Sequence, residues 1–186
     1  MKRNIFIFHG TGGNPEEYWF PWLKERLERK GHQVFVPQFP LPENDSLETR
    51  LKVLEKYNKY IDANTILIGH SRGGLFLFRV LERLKDPVYA SFLVSASIGI
   101  KPYVLYRESY KFSNGYKFDW DVIRSHSKKF FVYHSDNDPY TSLKNGKAIA
   151  NHLMVKLTCI SNAGHFNRAS GYTKFEKLFQ DILSVL

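Results

Sequence analysis

The run Thr65-Ile66-Leu67-Ile68-Gly69-His70-Ser71-Arg72-Gly73-Gly74-Leu75-Phe76-Leu77-Phe78 decides the fold. Its first four residues are β-branched or aliphatic, the composition of a strand buried on both faces. Its last four open a stretch that stays apolar through Val80 and Leu81, which reads as a helix with no wet side. Between them lies the pattern G-x-S-x-G, Gly69 to Gly73. In that context it turns a strand sharply into a helix and holds the serine at the tip. The glycines remove the Cβ atoms that would collide where strand and helix fold back on each other. Ser71 is therefore the candidate nucleophile, with its hydroxyl out over the sheet.

Outward from the elbow, strand-like and helix-like runs alternate. Asn4-Ile5-Phe6-Ile7-Phe8 is a continuous apolar strand ending in the glycine loop His9-Gly10-Thr11-Gly12-Gly13-Asn14. That loop lacks the Gly-Lys-Ser/Thr of a phosphate-binding loop. The spacing of Trp19, Trp22, Leu23 and Leu27 predicts a helix over about Glu16 to Lys30, stopped by Gly31. Gln33-Val34-Phe35-Val36 is a second strand, followed by a proline-rich loop through Pro42. Asp45 or Ser46 caps a helix carrying Leu47, Leu51 and Leu54. The elbow helix runs from Gly74 to about Leu84, and Tyr89 to Ser95 is the next strand. The aromatic segment from Ile98 to Trp120 reads either as a loop pinned by its rings or as a flap over a substrate pocket. Asp119 caps a brief helix to about His126. The pattern closes with a strand at Phe130–His134, a helix at Ser142–His152, a strand at Val155–Ile160 and a last helix bearing Phe175, Leu178, Phe179, Ile182 and Leu186.

Six such alternations without repeat or linker specify an α/β fold in one domain over residues 1–186. The expectation is a doubly wound, mainly parallel six-stranded sheet with helices on both faces. In such sheets the site forms at the carboxyl ends of the strands. The glycine loop, Ser71, Asp138 and His165 each follow the end of a strand and so share that edge.

A serine hydroxyl attacks well only when an imidazole takes its proton, and the imidazole needs a buried carboxylate to orient it. The chain order Ser71, Asp138, His165 is that of α/β-hydrolases. Asp136 is the alternative acid. His32, His126 and His152 fall at helix ends or in surface segments; His70 points away from Ser71, and His9 holds the first loop. Oxyanion donors are expected from the backbone N–H groups of Thr11 and Arg72. The Arg72 side chain reads as a surface ion pair, with contact to an anionic substrate as the sharper alternative. His9, Trp120, Tyr140 and Phe166 are the candidate pocket lining. No metal-ligand spacing occurs, and no cofactor is implied.

The formal net charge is +9. The basic residues spread over helix faces and no basic-aromatic recognition motif is present, so no nucleic-acid partner is expected. No apolar run reaches the length of a membrane span. The N-terminus shows no leader pattern. The lone Cys159 reads as a buried strand thiol, and the expected compartment is the cytoplasm. Expected partners are a small ester or amide substrate and, in the alternative reading of the chain as a protein-interaction module, another protein.

Taken together, Trp19-x-x-Trp22-Leu23, Gly69-His70-Ser71-x-Gly73, Ser135-Asp136-Asn137-Asp138-Pro139-Tyr140 and Gly164-His165-Phe166 resemble the small serine hydrolases of the retinoblastoma-binding protein 9 family over essentially the whole chain. The resemblance implies a compact α/β-hydrolase domain with little or no cap, a Ser71–Asp138–His165 triad and a poorly defined substrate. One departure stands out: a proline often lies four residues after the family's acid, and here that position is Ser142. It bears on the rigidity of the acid loop.

Overall fold

The computed structural model describes residues 2–100 and 117–186. Six strands form one sheet in the order β2-β1-β3-β4-β5-β6. They are β1 (Asn4–Phe8), β2 (Gln33–Phe35), β3 (Ile66–His70), β4 (Ala90–Val94), β5 (Phe130–Ser135) and β6 (Leu157–Ile160). Every pairing is parallel. The helices are α1 (Phe20–Glu28), α2 (Leu47–Glu55), α3 (Arg72–Leu81), α4 (Trp120–Ser125), α5 (Leu143–His152) and α6 (Glu176–Leu183). Among the described residues no helix is long and apolar enough to cross a membrane.

The two faces of the sheet follow from the period-2 alternation of side chains along each strand. Ile5, Ile7, Ile66, Ile68, Phe92 and Val94 face one layer, where they meet Leu23 and Leu27 of α1 and Leu178, Phe179 and Ile182 of α6. Phe6, Phe8, Leu67, Leu93 and Val132 face the other, built from α2, α3, α4 and α5. Because both faces of the central strands are dry, β1, β3 and β4 read as unbroken apolar runs. All ten residues of α3 are buried, as its lack of a polar face implies.

The chain runs outward from β1 to β2 and returns to β3 on β1's other side. The crevice beyond β1 and β3 is therefore the point where the winding reverses, the place where α/β sheets bind ligands. The loops after both strands lie there.

Two expectations need correction. The first helix begins at Phe20, four residues later than predicted. Pro21 lacks an N–H and is tolerated only in a first turn, and Tyr18 just ahead has φ +58°, outside helical space. Cys159 is exposed: β6 is an edge strand with little cover on its outer side. Most of the aromatic segment, a pinned loop or a flap by its sequence, lies outside the described residues.

Candidate active site

The elbow has the geometry its glycines require. Ser71 sits at φ 55°, ψ −122°, between the end of β3 and the start of α3. A non-glycine residue there is strained, and such strain persists only where the surroundings over-determine it. Its N–H donates to the Val94 carbonyl at 2.8 Å. A Cβ on Gly73 would lie 1.9 Å from the Phe8 carbonyl oxygen, and one on Gly69 would lie 2.6 Å from the Gly73 oxygen. Only bare backbone fits at these crossings.

Asp138 and His165 meet at the same edge. His165 Nδ1 and Asp138 Oδ2 are 2.8 Å apart, and the Asp138 side chain is fully buried. The carboxylate takes three further bonds: the Tyr140 and Thr141 amides donate to Oδ1 at 2.8 and 3.0 Å, and the Thr141 hydroxyl donates to Oδ2 at 2.8 Å. Burial alone would raise its pKa. The hydrogen bond and charge of His165, with the two amides, outweigh burial and hold the carboxyl well below the usual range. The acid loop is thus braced by the carboxylate itself. Ser142, where the family often carries proline, serves instead as the N-cap position of α5. Asp136, the alternative acid, is exposed and accepts from the Asn162 amide at 2.8 Å, which makes it a loop brace.

The histidine loop is tied to the acid loop by Asn137 Oδ1, which accepts from the Gly164 amide at 2.8 Å, and by Ser135 Oγ, which accepts from the Ala163 amide at 3.0 Å. Gly164 has φ +55°, and a Cβ there would meet Ser170 Oγ at 2.1 Å. His70 braces the loop from below. Its Nε2–H donates to the His165 carbonyl at 2.8 Å, and the two rings are 4.8 Å apart. A carbonyl only accepts, so the proton sits on Nε2. Burial pushes the His70 pKa down to about 3, with the His165 charge acting the same way, so the ring stays neutral.

The remaining predicted residues separate into two groups. Tyr140 belongs with the site: it is exposed, and its ring lies edge-on to His165 at 5.0 Å. Gly10 abuts Ser71, since a Cβ there would lie 3.0 Å from Ser71 Cβ; Thr11 is the next residue. Arg72 opens α3, where helix N–H groups point outward along the axis.

His9, Phe166 and Trp120 do not line the crevice. His9 is fully buried; its Nε2 accepts from the Phe39 amide at 3.0 Å, which places the proton on Nδ1, 2.8 Å from the Gly10 carbonyl. Burial lowers its pKa to about 4. Phe166 is fully buried and stacks on Phe175, while its carbonyl accepts from Trp19 Nε1 at 3.0 Å. Trp120 stacks on His152 at 4.4 Å, at the far end of α5. The apolar contacts available to these two rings inside the layers outweigh any at the rim.

Several residues that matter here carried no motif. Asp45 and Arg50 are both fully buried, paired at 2.6 and 2.7 Å, and Asp45 also takes Arg72 Nη1 at 2.9 Å. The Arg72 side chain is therefore in a buried ion pair, neither on the surface nor on a substrate. The sequence hint is that Arg50 falls at the helical spacing of Leu47, Leu51 and Leu54.

The family model described as serine hydrolase matches residues 5–183. The putative hydrolase YdeN of Bacillus subtilis is 28% identical over 184 residues, 99% of this chain and 96% of that one. Its crystal structure superposes with a TM-score of 0.89 at 27% identity, covering 99% of this chain and 98% of that one. The serine hydrolase RBBP9 of Rattus norvegicus is 28% identical over 186 residues, 100% of this chain and 95% of that one.

Proposed function

The chain belongs to the serine hydrolase family, and on that premise we propose that it cleaves carboxylic esters through an acyl intermediate on Ser71. Ser71 Oγ adds to the ester carbonyl carbon while Nε2 of His165 takes its proton. The imidazolium so formed keeps its Nδ1–H on Asp138, whose buried charge offsets it. The negative carbonyl oxygen is received by the Thr11 and Arg72 amides. His165 then returns the proton to the leaving alkoxide, and a water activated by the same imidazole releases the acid. An amide or thioester can follow the same course, with leaving-group chemistry deciding the rate. The proposed setting is the cytoplasm, and the substrate is a small molecule.

The observation that carries this reading is the fully buried carboxylate held on His165 Nδ1 at 2.8 Å, on a loop braced by the residue next to Ser71. The test is labelling with a fluorophosphonate probe, wild type beside Ser71→Ala, together with turnover of short p-nitrophenyl esters. Labelling confined to the Ser71 peptide, with turnover reduced at least about 10,000-fold in Ser71→Ala, is the expected result. Undiminished turnover in Ser71→Ala refutes the proposal.

A further inference from the structure

Beyond β1, the peptides that follow His9 and Gly10 are held by their oxygens. Arg50 Nη1 donates to the His9 carbonyl at 2.9 Å and Nη2 to the Gly10 carbonyl at 3.3 Å. His9 Nδ1–H also donates to the Gly10 oxygen at 2.8 Å, and the Gly13 amide closes a turn on it at 3.4 Å. In a planar trans peptide the N–H points opposite to the C=O. Fixing the Gly10 oxygen from one side therefore aims the Thr11 N–H to the other. Gly10 itself lies against Ser71, so this peptide borders the reacting atoms.

Arg50 can do this because its own position is fixed. Its Nε and Nη2 form a two-pronged pair with the Asp45 carboxylate at 2.6 and 2.7 Å, the geometry in which guanidinium and carboxylate lock each other's orientation. Its charge lies 4.5 Å from the centre of the Phe39 ring. The same carboxylate takes Arg72 Nη1 at 2.9 Å. Arg72 is the first residue of α3 and the residue after the nucleophile. One buried carboxylate thus connects the loop that carries Thr11 to the helix start that carries the Arg72 amide. Burial opposes its charge, and the two arginines outweigh that and keep it ionised.

We propose that Asp45, through Arg50 and Arg72, is a positioning residue that sets the spacing and aim of the two backbone donors facing the oxyanion. This rests on the catalytic reading above and deepens it. Asp45 touches no reacting atom. Its contribution is felt only as charge develops on the substrate oxygen, because a donor misaligned by a fraction of an ångström still admits the neutral ester but no longer matches the tetrahedral anion.

The experiment measures kcat and KM on a p-nitrophenyl ester, and binding of a matched pair of inhibitors. One is a trifluoromethyl ketone, to which Ser71 Oγ adds so that the carbonyl oxygen becomes an anion and the serine proton moves to His165. The other is the corresponding alcohol, which cannot accept the addition. For Asp45→Asn and Arg50→Met the expectation is a kcat reduced about 10- to 100-fold per folded molecule, a part of the loss that deletion of one oxyanion donor brings. KM stays within about threefold, trifluoromethyl ketone binding weakens by the same factor as kcat, and alcohol binding is unchanged. The midpoint of the kcat/KM pH profile does not move, since the histidine limb is untouched.

Arg50→Lys keeps the charge but not the fork, and is expected to fall between wild type and Arg50→Met. If Asp45→Asn and Arg50→Met do not fold, Arg50→Lys and Arg72→Lys decide by the same readouts. A kcat within twofold of wild type, or a lower kcat with trifluoromethyl ketone binding intact, overturns the proposal. So does wild-type turnover that survives Ser71→Ala, which marks the catalytic reading itself as the failed step.

Discussion

The two ends of α3 are built from similar materials and do different things. At its start, Ser71 is strained, Gly73 and Gly74 press against neighbouring backbone and side chain, and Arg72 is ion-paired in the interior with Asp45. At its other end, Arg79 is fully buried and pairs with Glu82 at 2.8 Å, and Val80 and Leu84 border an open groove of about 740 Å³ with Leu51, Leu54 and Ile61. Both ends therefore bury an arginine with a carboxylate, and the C-terminal one has a hollow beside it. The difference is what the polar groups hold. Asp45 and Arg50 hold two adjacent carbonyls of the glycine loop and the Arg72 side chain in one place. Glu82 ties down its own helix neighbour and the Asp119 amide at the entrance to α4. A hollow or a buried charge does not by itself mark chemistry. What sets the Ser71 end apart is that its buried cluster joins the glycine loop to the residue after Ser71.

The sharpest way to break this contrast is Gly73→Ala. By helix propensity alone the change should stabilise by up to about 1 kcal/mol. The structure reverses the sign, because the new Cβ would lie 1.9 Å from the Phe8 oxygen and 2.5 Å from its carbonyl carbon. Neither atom can rotate away, since Phe8 is paired in the sheet. The expected loss is more than about 5 kcal/mol, the exceptional end for a single substitution, read as a collapsed urea midpoint with no probe labelling. A variant as stable as wild type would show that the crossing is looser than its distances imply.

Acid should also act first on the Ser71 end. His70 and His9 titrate at about 3 and 4 in the folded state, chiefly because they are buried, against about 6.5 when unfolded. Between those values and 6.5 the unfolded chain binds more protons, so stability is full above pH 6.5 and falls as pH drops. At pH 5 each histidine costs about 2 kcal/mol relative to pH 7. Buried His134 adds in the same direction. Asp138, whose folded pKa is depressed, adds its own loss only below about pH 4. Urea midpoints measured from pH 7 to 5 should fall, and His70→Gln, which retains a donor for the His165 carbonyl, should lessen the slope. A flat profile would contradict the neutral, buried state of both rings.

The elements and the chemistry were unequally legible. Strands β1, β3 and β4 announced themselves because a sheet covered on both faces demands unbroken apolar runs, and the elbow because its glycines answer a local steric demand. Ser71, Asp138 and His165 are candidates because each follows a strand end, and Asp138 and His165 do come within 2.8 Å of each other. What stayed hidden depends on contacts between distant segments. Nothing local tells that Asp45 and Arg50 turn inward to the glycine loop, 40 residues away in sequence, or that His70 reaches the His165 carbonyl across 95 residues. Residue type points Trp120 and Phe166 towards a pocket, and packing on His152 and Phe175 claims both. The start of the first helix is set by Pro21, a signal the sequence does contain.

The mildest test concerns the C-terminal end of α3, through Glu82→Gln. Glutamine keeps the shape and an acceptor oxygen but removes the charge opposite Arg79. Arg79 lies 3.9 Å from the Phe118 ring centre, and Glu82 retains some solvent contact, its side chain being 10% exposed. The expected destabilisation is therefore about 1.5–3 kcal/mol, the range for a hydrogen bond to a charged group. Turnover per folded molecule should remain within twofold of wild type, because among the described residues no loop of the Ser71 crevice hangs on this pair. Denaturant unfolding and ester kinetics on one preparation give both numbers. A kcat reduced as far as in Asp45→Asn would mean that any buried ion pair on α3 supports catalysis through general rigidity. Stability lost without activity would leave the aim of two backbone amides as what distinguishes one end of the helix from the other.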